Sequence, residues 1–192
     1  MIVVVTGASG YLGRAVATEL VAAGHDVRTL QRRPSGVDGA TDILGSVTDP
    51  DAVARALDGA EGIIHLAAKV SLAGDPAEFR AVNVAGTRLV IDEAERAGAS
   101  RFAQVSSPSV AHAGHALAGV GAEPASPTQA RGEYARTKAE ASCSRSRVTR
   151  RPCASWRCAR TWCGAPATRS WSGASSTAHD AGACRCSTAA VP

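Results

Sequence analysis

The stretch that most constrains this chain runs from Met1 to Val21. Met1 to Thr6 (M-I-V-V-V-T) is an apolar, β-branched run. Gly7-Ala8-Ser9-Gly10-Tyr11-Leu12-Gly13 follows, and then Leu12, Val16, Leu20 and Val21 recur at helical spacing. Strand, glycine turn and helix in that order open a nucleotide-binding βαβ unit. One glycine lets the chain turn off the strand, one lets backbone N–H groups approach a pyrophosphate, and the third lets the helix pack close to the sheet. The helix N-terminus adds unpaired N–H groups and partial positive charge. The alternative is the same tight turn with no ligand.

The 192 residues allow one domain with a sizeable core. The chain starts directly on a strand, which predicts no signal peptide. No apolar run approaches the ~20 residues of a membrane span, so the expectation is a cytoplasmic protein without a membrane partner. The net charge of +4 is unevenly spread. Residues 1–141 carry 13 Lys+Arg against 16 Asp+Glu, whereas 142–192 carry 8 Arg against the single Asp180. All six cysteines (143, 153, 158, 163, 184, 186) and all three tryptophans (156, 162, 171) also fall in the second part.

Further strands are expected at His25–Leu30, Asp42–Leu44, Gly62–Ala68 and Arg101–Val105, with Gly24 closing the first helix. Between them, Pro50 opens a helix carrying Val53, Ala56 and Leu57, and Pro76–Ala97 has helical periodicity. Alternating strands and helices predict an α/β fold, a Rossmann-like doubly wound parallel sheet of about five strands. The second strand ends in Gln31-Arg32-Arg33 with no acid to accept a ribose 2′-OH. Arg32 there leans towards NADP, with NAD as the alternative. Residues 108–131 read as a long loop, and its His112 and His115 lack the Cys or carboxylate neighbours of a metal site, so no metal is expected.

Tyr134-Ala135-Arg136-Thr137-Lys138 sets a phenol and an ammonium four residues apart on one helix face. A free tyrosine has a pKa near ~10 and is a poor base at neutral pH. A neighbouring lysine cation favours the phenolate, which suits proton transfer at an alcohol or carbonyl. Ser107, at the end of the fifth strand, is the hydroxyl that would hold the substrate oxygen.

The segments T-G-A-S-G-Y-L-G (6–13), H-L-A-A (65–68), N-V-A-G-T (83–87), V-S-S-P-S-V (105–110) and Y-A-R-T-K (134–138) stand in one order. With them, roughly the first 141 residues resemble an extended short-chain dehydrogenase/reductase of the NAD(P)-dependent epimerase/dehydratase group, 3β-hydroxysteroid dehydrogenase-like. The resemblance implies that Gly7, Gly10, Tyr11, Leu12 and Gly13 line the pyrophosphate and that Arg32 meets the adenosine ribose or its phosphate. It places Ala67 and Ala68 against the cofactor's middle. Ser107 and Tyr134 become catalytic, with Lys138 as activator and ribose contact. Ser106 becomes structural, and Asn83 ties a helix to the active-site strands. It further implies a small-molecule substrate, a steroid-like or other apolar hydroxy compound before a nucleotide sugar, and a homodimer if the fold is intact. Two positions depart from the family pattern: Ser46 replaces an aspartate beside the adenine, and Ala111 replaces the tyrosine of many sugar-modifying members.

From residue 142 onward there is no Leu, Ile, Met, Phe, Tyr, Lys or Glu. Such a composition cannot bury enough apolar surface to offset chain entropy, so the sheet is expected to be incomplete on its C-terminal side and followed by a disordered tail. The cysteines match no zinc spacing, and a disulfide scaffold contradicts a cytoplasmic head. A nucleic-acid-binding arginine arm has only three tryptophans in its favour, so no nucleic-acid partner is expected. A change of reading frame near Ala141 accounts for the whole shift. Cys, Trp and most Ser codons begin with U, and moving the frame by one base makes that U a middle base, which encodes only Phe, Leu, Ile, Met or Val. With GC-rich third bases, Ala141–Ala167 becomes E-L-L-A-L-A-R-D-A-A-P-V-R-V-V-A-L-R-P-H-L-V-W-G-P-G, a helix end, a strand and a turn of this family's type. Sequencing the gene should show the shifted frame open and family-like past codon 141; an early stop there would refute it.

Overall fold

The computed structural model describes residues 1–71, 73–111 and 125–148, with side chains up to 143. Val3, Val4, Val5 and Thr6 are all buried, so β1 (Ile2–Thr6) has neighbours on both edges and on both faces. That near-continuous apolar run is what a central parallel strand needs. β2 (Asp26–Gln31) and β4 (Gly62–His65) pair with it in parallel, β3 (Ala40–Leu44) adds outside β2, and β5 (Arg101–Gln104) adds outside β4. The five strands stand in the order β3-β2-β1-β4-β5. The chain therefore crosses from one side of β1 to the other between β3 and β4. Beyond the carboxyl ends of β1 and β4 this reversal opens a crevice.

Helices cover both faces. α1 (Tyr11–Ala22) packs Ala17, Val16 and Leu20 on the face presenting Val5 and Val27. α2 (Pro50–Leu57) and α4 (Thr87–Arg96) bury Val53, Leu57, Val90 and Ile91 against Val4, Leu30, Ile63 and Phe102 on the other. The doubly wound parallel sheet expected from the sequence is the fold observed. α1 ends in a Schellman arrangement, with Gly24 N–H donating to Val21 O at 2.9 Å and His25 N–H to Leu20 O at 3.1 Å.

Local boundaries differ from expectation. β4 stops at His65 because Leu66 and Ala67 turn their N–H groups onto the Thr6 side chain. The helix read as Pro76–Ala97 is α3 (Pro76–Phe79), a π-helical turn (Arg80–Gly86) and then α4. α5 (Glu133–Val148) carries Tyr134 and Lys138 and packs on the π turn and α4. The tail expected to be disordered from residue 142 begins instead as helix, since α5 continues to Val148; the expectations for His112, His115 and the rest of the tail lie outside the described residues. Among the described residues, no helix is long and apolar enough to cross a membrane.

Outside the site, the β2–β3 junction is tied by Asp42, whose carboxylate accepts from Thr29 Oγ1, Gln31 Nε2 and Ser35 N. Partial burial acts to raise the Asp42 pKa, but the hydrogen bonds from Thr29, Ser35 and Gln31 outweigh it and hold the group below its ordinary value. α2 starts on Asp49, whose Oδ1 accepts from Asp51 N at 3.0 Å and Ala52 N at 3.3 Å, with Pro50 as its first residue. Asp49→Ala should lower unfolding free energy by about 1 kcal/mol in urea titration, whereas Asp49→Ser should recover most of it.

Candidate functional site

The crevice holds a cleft of about 1070 Å³, at the upper end of the roughly 300–1,000 Å³ usual for small-molecule sites. Gly7, Gly10, Tyr11, Leu12, Gly13, Arg32, Ala67 and Ala68 all line it, together with Arg33, Ser46 and Val105. The eight residues proposed from the sequence to contact a dinucleotide before Lys138 are thus brought to one surface. Gly7 adopts φ +79°, and a Cβ on Gly13 would lie 2.4 Å from Gly7 O. The turn and the first turn of α1 therefore pack backbone on backbone, which glycine alone permits. α1 has no side-chain cap and no acid in its first turn. Its first N–H groups and positive dipole end are left for an anionic ligand. Tyr11 is 91% exposed beside them, and Arg32 and Arg33 stand exposed at the end of β2. A glycine cradle, an uncapped helix start and two arginines along one cleft fit a dinucleotide. Ser46, which occupies the expected aspartate position, bonds Thr48 Oγ1 at 2.8 Å instead.

The second group of residues lies beyond the far end of that cleft. Tyr134 and Lys138 share a face of α5, Tyr134 half-buried and Lys138 3% exposed. Lys138 Nζ donates to Val105 O at 2.7 Å, and Val105 itself lines the cleft. Ser107 Oγ lies 2.9 Å from Ser109 Oγ at the start of a short 3₁₀ turn (Pro108–Ala111). Ser106 Oγ meets Ser142 Oγ of α5 at 3.2 Å, so this serine links strand end to helix. Among the described residues, Ser107, Tyr134 and Lys138 do not themselves line the cleft; Val105 is where the two groups meet.

Asn83 joins the two. Its Oδ1 accepts from Lys69 N at 2.7 Å, and its Nδ2 donates to Lys69 O at 3.1 Å and to Thr137 Oγ1 at 3.0 Å. One buried amide in the π turn thereby fixes the cleft-lining segment after β4 to the helix bearing Tyr134 and Lys138. Such π turns recur at functional sites because they redirect side chains without ending the helix.

Sequence reasoning assigned no role to Thr6, His65, Thr87 or Thr137. Thr6 Oγ1 lies 2.8 Å from His65 Nδ1, and His65 Nε2 lies 2.9 Å from Thr87 Oγ1. His65 is fully buried; burial, and then the Lys138 charge, push its pKa down to about 3. The available signal was a histidine ending an otherwise apolar strand, paired in register with the threonine that ends β1.

Known proteins resemble this chain in sequence and fold. The model of the NAD dependent epimerase/dehydratase family matches residues 3–147. A 3 beta-hydroxysteroid dehydrogenase/Delta 5-->4-isomerase of Mycobacterium tuberculosis is 39% identical over 127 residues, covering 61% of this chain and 34% of that protein. A 2-alkyl-3-oxoalkanoate reductase of Stenotrophomonas maltophilia is 36% identical over 127 residues, covering 64% and 38%. The chain thus spans little more than a third of either relative. The crystal structure of a short-chain dehydrogenase/reductase superfamily protein from Agrobacterium tumefaciens with bound NAD superposes with a TM-score of 0.71 at 34% identity. The superposition covers 78% of this chain and 45% of that one.

Removing the Asn83 amide would strand both backbone groups of Lys69 and leave Thr137 Oγ1 only its bonds to the α5 backbone. Asn83→Ala should destabilise the fold by about 2–3 kcal/mol in chemical denaturation. Asn83→Asp should lose nearly as much, since a carboxylate cannot donate to Lys69 O.

Proposed function

The chain belongs to the NAD dependent epimerase/dehydratase family, and we propose that it pairs a nicotinamide-dinucleotide cradle with a Ser–Tyr–Lys proton-transfer group acting on a secondary alcohol or its ketone. The observation that carries this reading is the single cleft running from the Gly7–Gly13 turn past Arg32 and Ala67 to Val105, whose carbonyl holds Lys138. A nicotinamide cofactor held there would supply the hydride-transfer chemistry.

The remaining work belongs to the chain's own side chains. Tyr11, Leu12 and Gly13 offer the backbone N–H groups at the start of α1 to the pyrophosphate, while Gly7 and Gly10, whose N–H groups donate to Leu30 O and Gly7 O, shape the turn that lines it. Arg32 faces the adenosine ribose, and the absence of an acid at the end of β2 supports NADP over NAD. Ala67 and Ala68, with short side chains, let the cofactor's middle lie close to the sheet. Ser107 Oγ donates to the substrate oxygen while Tyr134 Oη delivers or removes its proton, with Lys138 on the same helix face as the ribose contact. The names of the two curated relatives denote a hydroxysteroid and an oxoalkanoate as substrates. Those names support an apolar hydroxy or oxo compound here, ahead of a nucleotide sugar.

A second reading is a dinucleotide binder without turnover. It is favoured by the position of Ser107 and Tyr134 outside the described cleft lining. Fluorescence titration with NADPH and NADH followed by an alcohol-oxidation assay distinguishes the two. NADPH should bind tighter, and Arg32→Ala should weaken NADPH about tenfold, a loss of about 1.4 kcal/mol, with little change for NADH. Tyr134→Phe should lower turnover by about 10²–10⁴-fold with binding retained. Binding without measurable turnover in the unaltered chain would favour the second reading.

A further inference from the structure

We infer that His65 is a positioning residue whose neutral, Nε2-protonated ring holds the Thr6 hydroxyl as a double acceptor and thereby fixes Ala67 against the glycine turn. This rests on the reading of the cleft as a dinucleotide site. Thr6 and His65 are the last residues of β1 and β4 and are register partners. Thr6 Oγ1 receives Leu66 N–H at 3.1 Å and Ala67 N–H at 3.0 Å, Leu66 sharing its proton with Thr6 O at 3.3 Å. A hydroxyl oxygen has two lone pairs and one proton. With both lone pairs engaged, the proton can only be given, and His65 Nδ1 lies 2.8 Å away to take it.

Nδ1 is therefore bare, and the single ring proton sits on Nε2, which donates to Thr87 Oγ1 at 2.9 Å. An imidazolium, or the opposite tautomer, would set a second proton against the Thr6 hydroxyl and cost it a backbone partner. The surroundings also oppose the cation, because the ring is fully buried and Lys138 is already charged nearby.

What the lock sets is the spacing at the centre of the cleft. A Cβ on Gly7 would stand 3.0 Å from both Ala67 Cα and Ala67 N, so the glycine turn and the Ala67 backbone are in direct contact. A small displacement of Ala67 would move one wall of the cradle relative to the other. Through Thr87, the same ring reaches the first residue of α4, immediately after the π turn that carries Asn83. His65 is thus the point where both strand ends and the helix start are referenced to one another.

The test uses the full chain with ¹⁵N-labelled histidine. Ring ¹⁵N shifts of His65 should report a protonated Nε2 and a bare Nδ1 at neutral pH. Thr6→Val should speed Ala67 amide exchange by about tenfold and weaken NADH or NADPH binding about fivefold or more, whereas Thr6→Ser should stay within about twofold of the parent on both. His65→Asn, whose Oδ1 can stand where Nδ1 stood, should retain more affinity than His65→Gln, whose amide reaches the Nε2 position. A cationic or Nδ1-protonated ring, or parental Ala67 exchange in folded Thr6→Val, overturns the inference. Should Thr6→Val fail to fold, the ring shifts and Thr6→Ser decide it. If the parent chain binds neither dinucleotide, the cofactor reading falls, while ring shifts and Ala67 exchange still decide the role of His65.

Discussion

The site depends on one buried amide. Asn83 satisfies both backbone groups of Lys69 and donates to Thr137 Oγ1, adding a buried tie between the two groups of candidate site residues to the one from Lys138 to Val105 O. The reason is topological. The cleft-lining segment after β4 is irregular backbone, which cannot hold itself in place by ladder hydrogen bonds. α5, for its part, arrives from far along the chain. A side-chain amide carries both a donor and an acceptor, so it can close a backbone N–H and a C=O at once, which neither a carboxylate nor a hydroxyl could do with the same geometry.

A polar layer runs across the carboxyl ends of the central strands, above an apolar core. Thr6, His65 and Gln104 are consecutive across β1, β4 and β5 in register, and all three are buried. Buried polar groups cost stability unless satisfied; Thr6 and His65 are satisfied by each other and by Thr87, whereas Gln104 Nε2 and Oε1 have no partner among the described residues. The opposite ends of the same strands, around Gly62 and Arg101, bear ordinary turn contacts such as Ser100 N to Glu61 O at 3.1 Å. The asymmetry coincides with the end at which such sheets bind ligands.

Much of this was legible in the sequence. The parallel sheet follows from the alternation of strand and helix, and the cradle from glycines placed between Thr6 and Arg14. Asn83 and the pair Tyr134–Lys138 were identifiable by motif. Other features left no periodic trace. Phe79, Asn83, Gly86, Thr87, Val90 and Ile91 are buried at spacings that an unbroken α-helix would also give, so the π turn is invisible to pattern. Thr6 reads as the end of a β-branched strand and His65 as an isolated ring. Their meaning lies in a contact between residues 59 positions apart, and no local rule encodes that. Ser107 shows the converse, since its motif is clear yet its hydroxyl turns to Ser109.

The outer side of β5 bears on how this fold behaves in concentrated solution. Among the described residues, β5 pairs with β4 alone. A strand open on one side is a template for adding another chain's strand, and natural sheets suppress this with brevity, charge and proline. β5 uses each of them: it is four residues long, begins on the exposed Arg101, and runs through two serines into Pro108. Among the described residues, the short, charged strand that leads into the candidate site therefore carries features that discourage edge-to-edge pairing.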